Sequence, residues 1–222
     1  MLPGPVTTVW LLLLGGWMAV DGTSVGQIMV SRPLVAATLA GWVVGDPLAG
    51  LTAGVLLELF HLAVLPVGAA RYPEGGPASV LAGSLYALSE SVPGALLVTV
   101  AFALLWEWVG GETMRVMRQI NVRVVAGPDG SGRAEHIQLR HFAAIMLDFF
   151  RGMLLVGVGM LCLSALLAVS ANYWGVAPEV ARLATGAVAV GLFAATFGIF
   201  PGRVRLFLSG VAAGLLFVLL RG

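Results

Sequence analysis

Glu58 is the side chain whose position most calls for a chemical reason. It stands near the middle of Leu48 to Val67, twenty residues that are otherwise almost wholly apolar. An ionisable group at membrane depth is costly, and it marks either a ligand or ion path or a hydrogen-bonded tie between helices. Gly50, Gly54 and Glu58 recur every four residues and share one helix face. That face is small at one end, which lets a neighbouring backbone approach and aims Glu58 into protein or a watery cavity. His61 follows one turn on, either as a partner for Glu58 or as a packing residue. A second group is Arg71, Tyr72 and Glu74. There a ring can stack on a polyhydroxylated ligand and a carboxylate can accept from its hydroxyls. The plainer reading of the same three residues is a solvated turn with a local ion pair.

Other reactive constellations are missing from the sequence. There is no lysine, so a phosphate-binding glycine loop with lysine is excluded. No His-x-x-x-His or Cys-x-x-Cys pair offers metal-ligand spacing, and no cofactor is expected. His136 and His141 have no visible triad partners. The single cysteine, Cys162, lies in an apolar run and reads as a packed thiol. Asp148 and Arg151, three apart, read as an ion pair at headgroup level. Glu107 between Trp106 and Trp108 reads as interfacial.

These residues must be positioned by helices in a bilayer. Of 222 residues, 59% are hydrophobic and 10% charged, where soluble domains carry roughly 25% charged. A water-soluble enzyme lacks the polar surface it would need, and a net charge of +1 implies no attraction to nucleic acid. The apolar runs are continuous rather than alternating, which predicts helices and not a barrel. The expected fold is an all-α polytopic membrane protein with about six to eight membrane segments, at ~20 apolar residues per full span. Leu34 to Val44 and Ala78 to Leu88 are too short to cross. Each is bounded by proline, glycine and polar residues, and each reads as a broken or re-entrant helix or as a surface helix and loop.

Gly110 to His141 is hydrophilic and holds five arginines, which places it in the cytoplasm. The chain then divides into a membrane half at 1–109, an arginine-rich loop at 110–141 and a second membrane half at 142–222. In the second half Gly152 to Ser170, Leu183 to Phe200 and Leu206 to Leu220 read as three spans.

Several elements between Gln27 and Ala82 follow one another in a recognisable order. They are Ser31-Arg32-Pro33-Leu34-Val35, Gly41 with Gly45-Asp46, Gly50-Leu51, Gly54, Leu57-Glu58-Leu59, Pro66-Val67-Gly68-Ala69-Ala70 and Tyr72-Pro73-Glu74. In this order and spacing the chain resembles the IIC subunit of mannose-family (mannose, fructose, sorbose and N-acetylgalactosamine) phosphotransferase-system (PTS) sugar permeases. The resemblance implies a multi-pass protein of the bacterial cytoplasmic (inner) membrane. It implies binding of a hexose or amino sugar and its transfer by an elevator-like motion. The implied partners are a IID membrane subunit and soluble IIA and IIB phosphocarriers, in an oligomer. The subunit would not itself be phosphorylated and would not be an enzyme in its own right. By the same resemblance Gln27, Glu58, Arg71 and Glu74 surround the sugar path, with His61 and Asp46 beside them. The competing readings are an uncoupled secondary transporter using Glu58 as a proton site, and a non-transporting scaffold that recruits partners through the arginine-rich loop.

Overall fold

The computed structural model describes residues 2–62, 72–126, 134–173 and 177–197. Among these residues lie seven α-helices and no strand: α1 (Pro5–Thr23), α2 (Pro33–Val44), α3 (Pro47–His61), α4 (Gly75–Ala87), α5 (Ala95–Ala126), α6 (Ala134–Tyr173) and α7 (Pro178–Phe197). Proline opens α1, α2 and α3. Its fixed φ suits a first helical turn, and its missing N–H would have had no intrahelical partner there. Gly45 closes α2 in the left-handed region at φ 95°, a conformation that glycine reaches without a Cβ clash. Asp46 follows as the N-cap of α3, accepting from the Ala49 N–H at 3.0 Å. The result is a tight α2–α3 hairpin. The small face of α3 packs directly on α2: a Cβ on Gly54 would meet the Pro33 carbonyl at 3.0 Å and the Ala37 methyl at 3.1 Å.

Of the short helices, α4 is the enclosed one, while α2 and α3 expose Trp42, Leu48 and Val55 on their outer faces. α4 is buried along its length from Gly75 to Tyr86 and touches α1, α2, α3, α5 and α6. Leu81 and Leu85 of α4 pack with Leu57, Val100, Val156 and Leu163 in the core. α1, α5 and α6 each contain a stretch long and apolar enough to cross a membrane. Their outer faces expose Trp10, Leu105, Leu154 and Leu161, a covering that lipid and not water accommodates. The chain is a multi-pass, all-α membrane protein. Cys162, expected to be packed, is exposed on α6.

Three expectations about element boundaries change. Within Leu48 to Val67 the described helix α3 ends at His61 after 15 residues, about 22 Å of rise against a hydrocarbon core of about 30 Å, and residues 63–67 lie outside the described residues. Glu58 therefore sits in the last turn of a short helix. Gly110 to His141 is largely helical rather than a loop, because α5 runs to Ala126 and α6 starts at Ala134. Between them Gly127, Pro128, Gly130 and Gly132 concentrate the residues that disfavour helix. α6 begins at Ala134, eight residues before Phe142, where an amphipathic lead-in to the Gly152 span is expected. The two short runs are helices of 12 and 13 residues, α2 and α4. The expected last span, Leu206 to Leu220, lies outside the described residues.

Candidate functional site

The site begins at the end of α1. Asp21 is buried, 2% exposed, and the chain after it folds around its carboxylate. Oδ1 accepts from the Ile28 N–H at 3.0 Å and Oδ2 from the Ser31 N–H at 2.9 Å. To close this wrap, Gln27 and Met29 take φ of 48° and 66°, left-handed values that side-chain-bearing residues seldom adopt. The wrap fixes Gln27, whose Nε2 donates to the Thr23 carbonyl at 3.2 Å, and delivers Arg32 to the start of α2. Arg32 pairs with Glu58, donating through Nε at 2.8 Å and through Nη2. The other oxygen of Glu58 accepts from the Leu34 N–H at 3.2 Å. Glu58 thus caps the N-terminal turn of α2 from α3, where a carboxylate also complements the helix dipole.

A second network lies deeper. Glu74 is the N-cap residue of α4, and Arg151 of α6 grips it with Nη1 to Oε2 at 2.5 Å and Nη2 to Oε1 at 2.7 Å. The same guanidinium reaches Asp148 Oδ1 at 2.7 Å and Thr113 Oγ1 at 3.0 Å. Asp148 Oδ2 accepts from Thr23 Oγ1 and from Ser24 Oγ, the latter at 3.2 Å. The Glu74 N–H donates to the Glu107 carbonyl at 2.9 Å. His61 Nε2 lies 3.0 Å from Glu107 Oε2, a contact not aligned as a hydrogen bond. Through these side chains α1, α3, α4, α5 and α6 converge.

Two cavities with polar side chains in their walls adjoin in this region, sharing Gly22, Thr23, Tyr72 and Met114. The first, about 150 Å³, has Ser31, Arg32, His61, Tyr72 and Glu74 in its wall. The second, about 200 Å³, has Gln27, Tyr72, Arg118, Asn121 and Asp148 in its wall. Gly75 and Gly76 also reach the first cavity. They open α4 without a side-chain cap, so first-turn N–H groups are available to a ligand. The cleft offers donors, acceptors and the Tyr72 ring. Among the described residues no group of three or more His, Cys, Asp or Glu could hold a metal ion.

The expected site residues separate on this map. Gln27, His61 and Glu74 line the cleft. Glu58 acts from behind it, through Arg32, which does line it. Asp46 caps the far end of α3, about 18 Å along the axis from Glu58. Arg71 lies outside the described residues. His61 faces Glu107 and not Glu58, because α3 turns its small-residue face and Glu58 toward α2. Glu107 is buried inside the bundle, 2% exposed. Asp148 and Arg151 do pair three apart, and both are buried inside the bundle. Sequence reading missed Asp21, Arg32, Glu107, Asp148 and Arg151 as one system. One signal was present: Arg151 is the sole arginine between Arg140 and Arg182, against a strongly apolar helix.

The comparisons with known proteins agree with this architecture. The family described as "PTS system sorbose-specific iic component" matches residues 6–199. The sorbose-specific EIIC component of Lacticaseibacillus casei is 32% identical over 78 residues, 34% of this chain and 28% of that protein. The fructose permease IIC component of Bacillus subtilis is 32% identical over 128 residues, 55% of this chain and 46% of that protein. The mannose-specific EIIC component of Escherichia coli K12 is 27% identical over 151 residues, 66% of this chain and 56% of that protein. The chain thus spans between about a quarter and just over half the length of these relatives. Two solved structures share the fold at 20% identity. One, titled only as the structure of a membrane protein, has a TM-score of 0.75 and covers 99% of this chain and 94% of that one. The other, the mannose transporter ManYZ in complex with microcin E492, has a TM-score of 0.66 and covers 96% of this chain and 88% of that one. With a match running through six of the seven helices and to the end of the seventh, the chain belongs to the sorbose-specific IIC component family of the phosphotransferase system.

Proposed function

We propose that the chain is the membrane translocation (IIC) subunit of a phosphoenolpyruvate-dependent sugar phosphotransferase system. It binds a hexose or amino sugar in the cleft and moves it across the bacterial inner membrane. A soluble IIB protein, charged by IIA, phosphorylates the sugar, and a IID subunit is the membrane partner. The chain takes no phosphate on its own residues. One observation carries this reading: Glu74, buried at the uncapped start of the enclosed helix α4, lines a polar cleft beside Tyr72 at the heart of a membrane bundle. A sugar needs acceptors, donors and an apolar ring face together, and the Glu74 carboxylate, the α4 N-terminus and Tyr72 supply them. Gln27 and His61 contribute further contacts, and Glu58 contributes by holding Arg32 at the rim. Arg71, next to Tyr72 in the chain, belongs to the same path. The relatives named for sorbose, fructose and mannose support a hexose-sized solute.

The test is to co-express the chain with IID, IIA and IIB subunits and follow labelled sorbose, fructose and mannose in membrane vesicles. Phosphoenolpyruvate should drive accumulation of one sugar as its phosphate. Gln27→Ala and Tyr72→Ala should remove that activity at unchanged membrane abundance. Uptake that runs on a pH gradient without phosphoenolpyruvate would identify an uncoupled transporter instead. Failure with every sugar would overturn the reading.

A further inference from the structure

We propose that Glu107 of α5 is a positioning residue for His61: the two side chains hold a proton between them, and with it His61 Nδ1 donates to an oxygen of the sugar in the first cavity. This rests on the sugar-path reading above and adds to it one residue and a protonation state.

Geometry carries the pairing. His61 ends α3 and stands in the wall of the first cavity. Its Nε2 is buried and lies 3.0 Å from Glu107 Oε2, close enough to share a proton after a small turn of either group. The ring is wedged there, since a Cβ on Gly75 at the start of α4 would collide with its Cε1 and Nε2. Glu107 is buried, and its other oxygen has no hydrogen-bond partner. Among the described residues, His61 is thus the group that answers this carboxylate. The main chain of Glu107 is held as well, because its carbonyl accepts from the Glu74 N–H at 2.9 Å. With Nε2 turned to Glu107, Nδ1 is the ring nitrogen left for the cavity.

The shared proton fixes what Nδ1 does. Add one proton to a carboxylate and a neutral imidazole. Either the ring becomes imidazolium, with N–H on both nitrogens, or the carboxyl takes the proton and donates to Nε2, which leaves the ring's own N–H on Nδ1. Both arrangements are neutral overall, and both make Nδ1 a donor. Remove that proton, and the carboxylate draws the remaining N–H to Nε2. Nδ1 is then a bare acceptor and the pair is a buried anion. Glu74, in the same wall, can only accept when ionised, so a donor on His61 complements it for a ligand whose hydroxyls do both.

The surrounding charges favour keeping the proton. Arg32, Tyr72 and Glu74 share the cavity wall with His61. Arg32 is spent on Glu58 of α3. Glu74 of α4 and Asp148 of α6 share the one guanidinium of Arg151, so that cluster already has an acid in excess. Asp21 at the end of α1 is a further carboxylate, held by backbone N–H groups. On α5, Glu112 pairs with Arg115, and Arg118 lies against Tyr72 in the wall of the second cavity. α7 also touches α3 and α5, and its Glu179 is exposed. An ionised Glu107 beside a neutral His61 adds another buried anion to this surplus, which a low-dielectric interior makes costly. The protonated pair avoids it.

The full chain, co-expressed with the IID subunit, is placed in phosphatidylcholine nanodiscs. Titration calorimetry then measures sorbose, fructose and mannose between about pH 6 and pH 9, in buffers of different ionisation enthalpy, which counts the protons taken up with the sugar. Affinity for the sugar that binds should fall as pH rises, and over the falling range binding should take up about one proton. His61→Gln reaches Glu107 but not the Nδ1 position. It should weaken binding about five- to ten-fold at the low end of the range and abolish the proton uptake. Glu107→Gln keeps the shape and removes the charge that favours imidazolium. Its fall in affinity should come at least about one pH unit lower. The double replacement His61→Asn with Glu107→Gln sets an amide N–H near the place of Nδ1–H with no titrating group. It should bind more tightly than His61→Gln, with no dependence on pH. A native affinity that is flat with pH, proton uptake that survives His61→Gln, or a Glu107→Gln profile that coincides with the native one would each overturn the proposal while sugar binding stands. No binding of any of the three sugars at any pH defeats the sugar-path reading with it. Size exclusion and thermal melting check that the variants stay folded, and the proton count on the native chain depends on none of them.

Discussion

Glu74 and Arg151, 77 residues apart in the chain, meet through two parallel hydrogen bonds of 2.5 and 2.7 Å in the interior of the bundle. This pair ties the start of the enclosed helix α4 to the long helix α6. Both side chains are about 6% exposed, so each depends on the other for its charge. The reach of Arg151 to Asp148 carries the connection on to Thr23 and Ser24 at the end of α1.

Breaking that pair from one side should be severe. Arg151→Ala leaves Glu74 and Asp148 buried without their cation, a loss of about 3–5 kcal/mol. Arg151→Lys keeps the charge but cannot fork, and should fall between. The double replacement Glu74→Met with Arg151→Met should recover stability relative to Arg151→Ala while sugar binding stays absent. Thermal unfolding of the solubilised protein, paired with a binding assay, checks both halves. A double variant no more stable than Arg151→Ala would count against the pair as the source of the loss.

Close helix packing gives a sharper contrast. A Cβ on Gly83 of α4 would collide with the Ala37 carbonyl of α2, and backbone at that contact cannot move aside cheaply. Gly83→Ala should abolish or strongly reduce folded protein. Gly186 of α7 has nothing within 4 Å of a built Cβ, so Gly186→Ala should be neutral or gain up to about 1 kcal/mol from helix propensity. Yield of monodisperse protein after size exclusion reports the difference.

The Asp21 wrap predicts a local effect. Asp21→Asn removes the charge that two backbone N–H groups share, worth on the order of 1.5–3 kcal/mol for each bond to a charged group before partial replacement by the amide. Hydrogen exchange at Ile28 and Ser31 should rise by at least ten-fold, with much smaller changes in α6. Uniform exchange increases across the chain would instead mean global destabilisation.

Glu58 should separate stability from function. Its pair with Arg32 is partly exposed, 19% and 38%, so Glu58→Gln should lose no more than about 1 kcal/mol. The amide oxygen can still accept from Leu34. Sugar uptake should nevertheless drop, because Arg32 is released from the cleft wall. Undiminished uptake in Glu58→Gln would remove the ion pair from the transport path.

Much of this arrangement is written locally. Hydropathy marks the outer helices, and Pro33, Gly45 with Asp46, and Pro47 mark both ends of α2 and the start of α3 within a residue or two. The four-residue spacing of Gly50, Gly54 and Glu58 identifies the face that packs on α2, since helical period depends on the chain alone. The length of α3 was not legible, because the apolar run continues past the last described turn. The helical continuation of α5 was obscured by charge, which hydropathy reads as loop and helix propensity does not.

The sequence by itself determined the membrane class, the all-α architecture, the two short apolar segments and the presence of acids near their ends. Only the tertiary structure decided which charges answer one another. Glu58 goes to Arg32 across 26 residues and Glu74 to Arg151 across 77, while His61 turns to Glu107. The physical reason is one of range. Burial and helix period act between near neighbours in the chain. The partner of a buried charge is set by which helices pack against it, and in a low-dielectric interior that choice is enforced, since an unpaired charge there is far costlier than one in water.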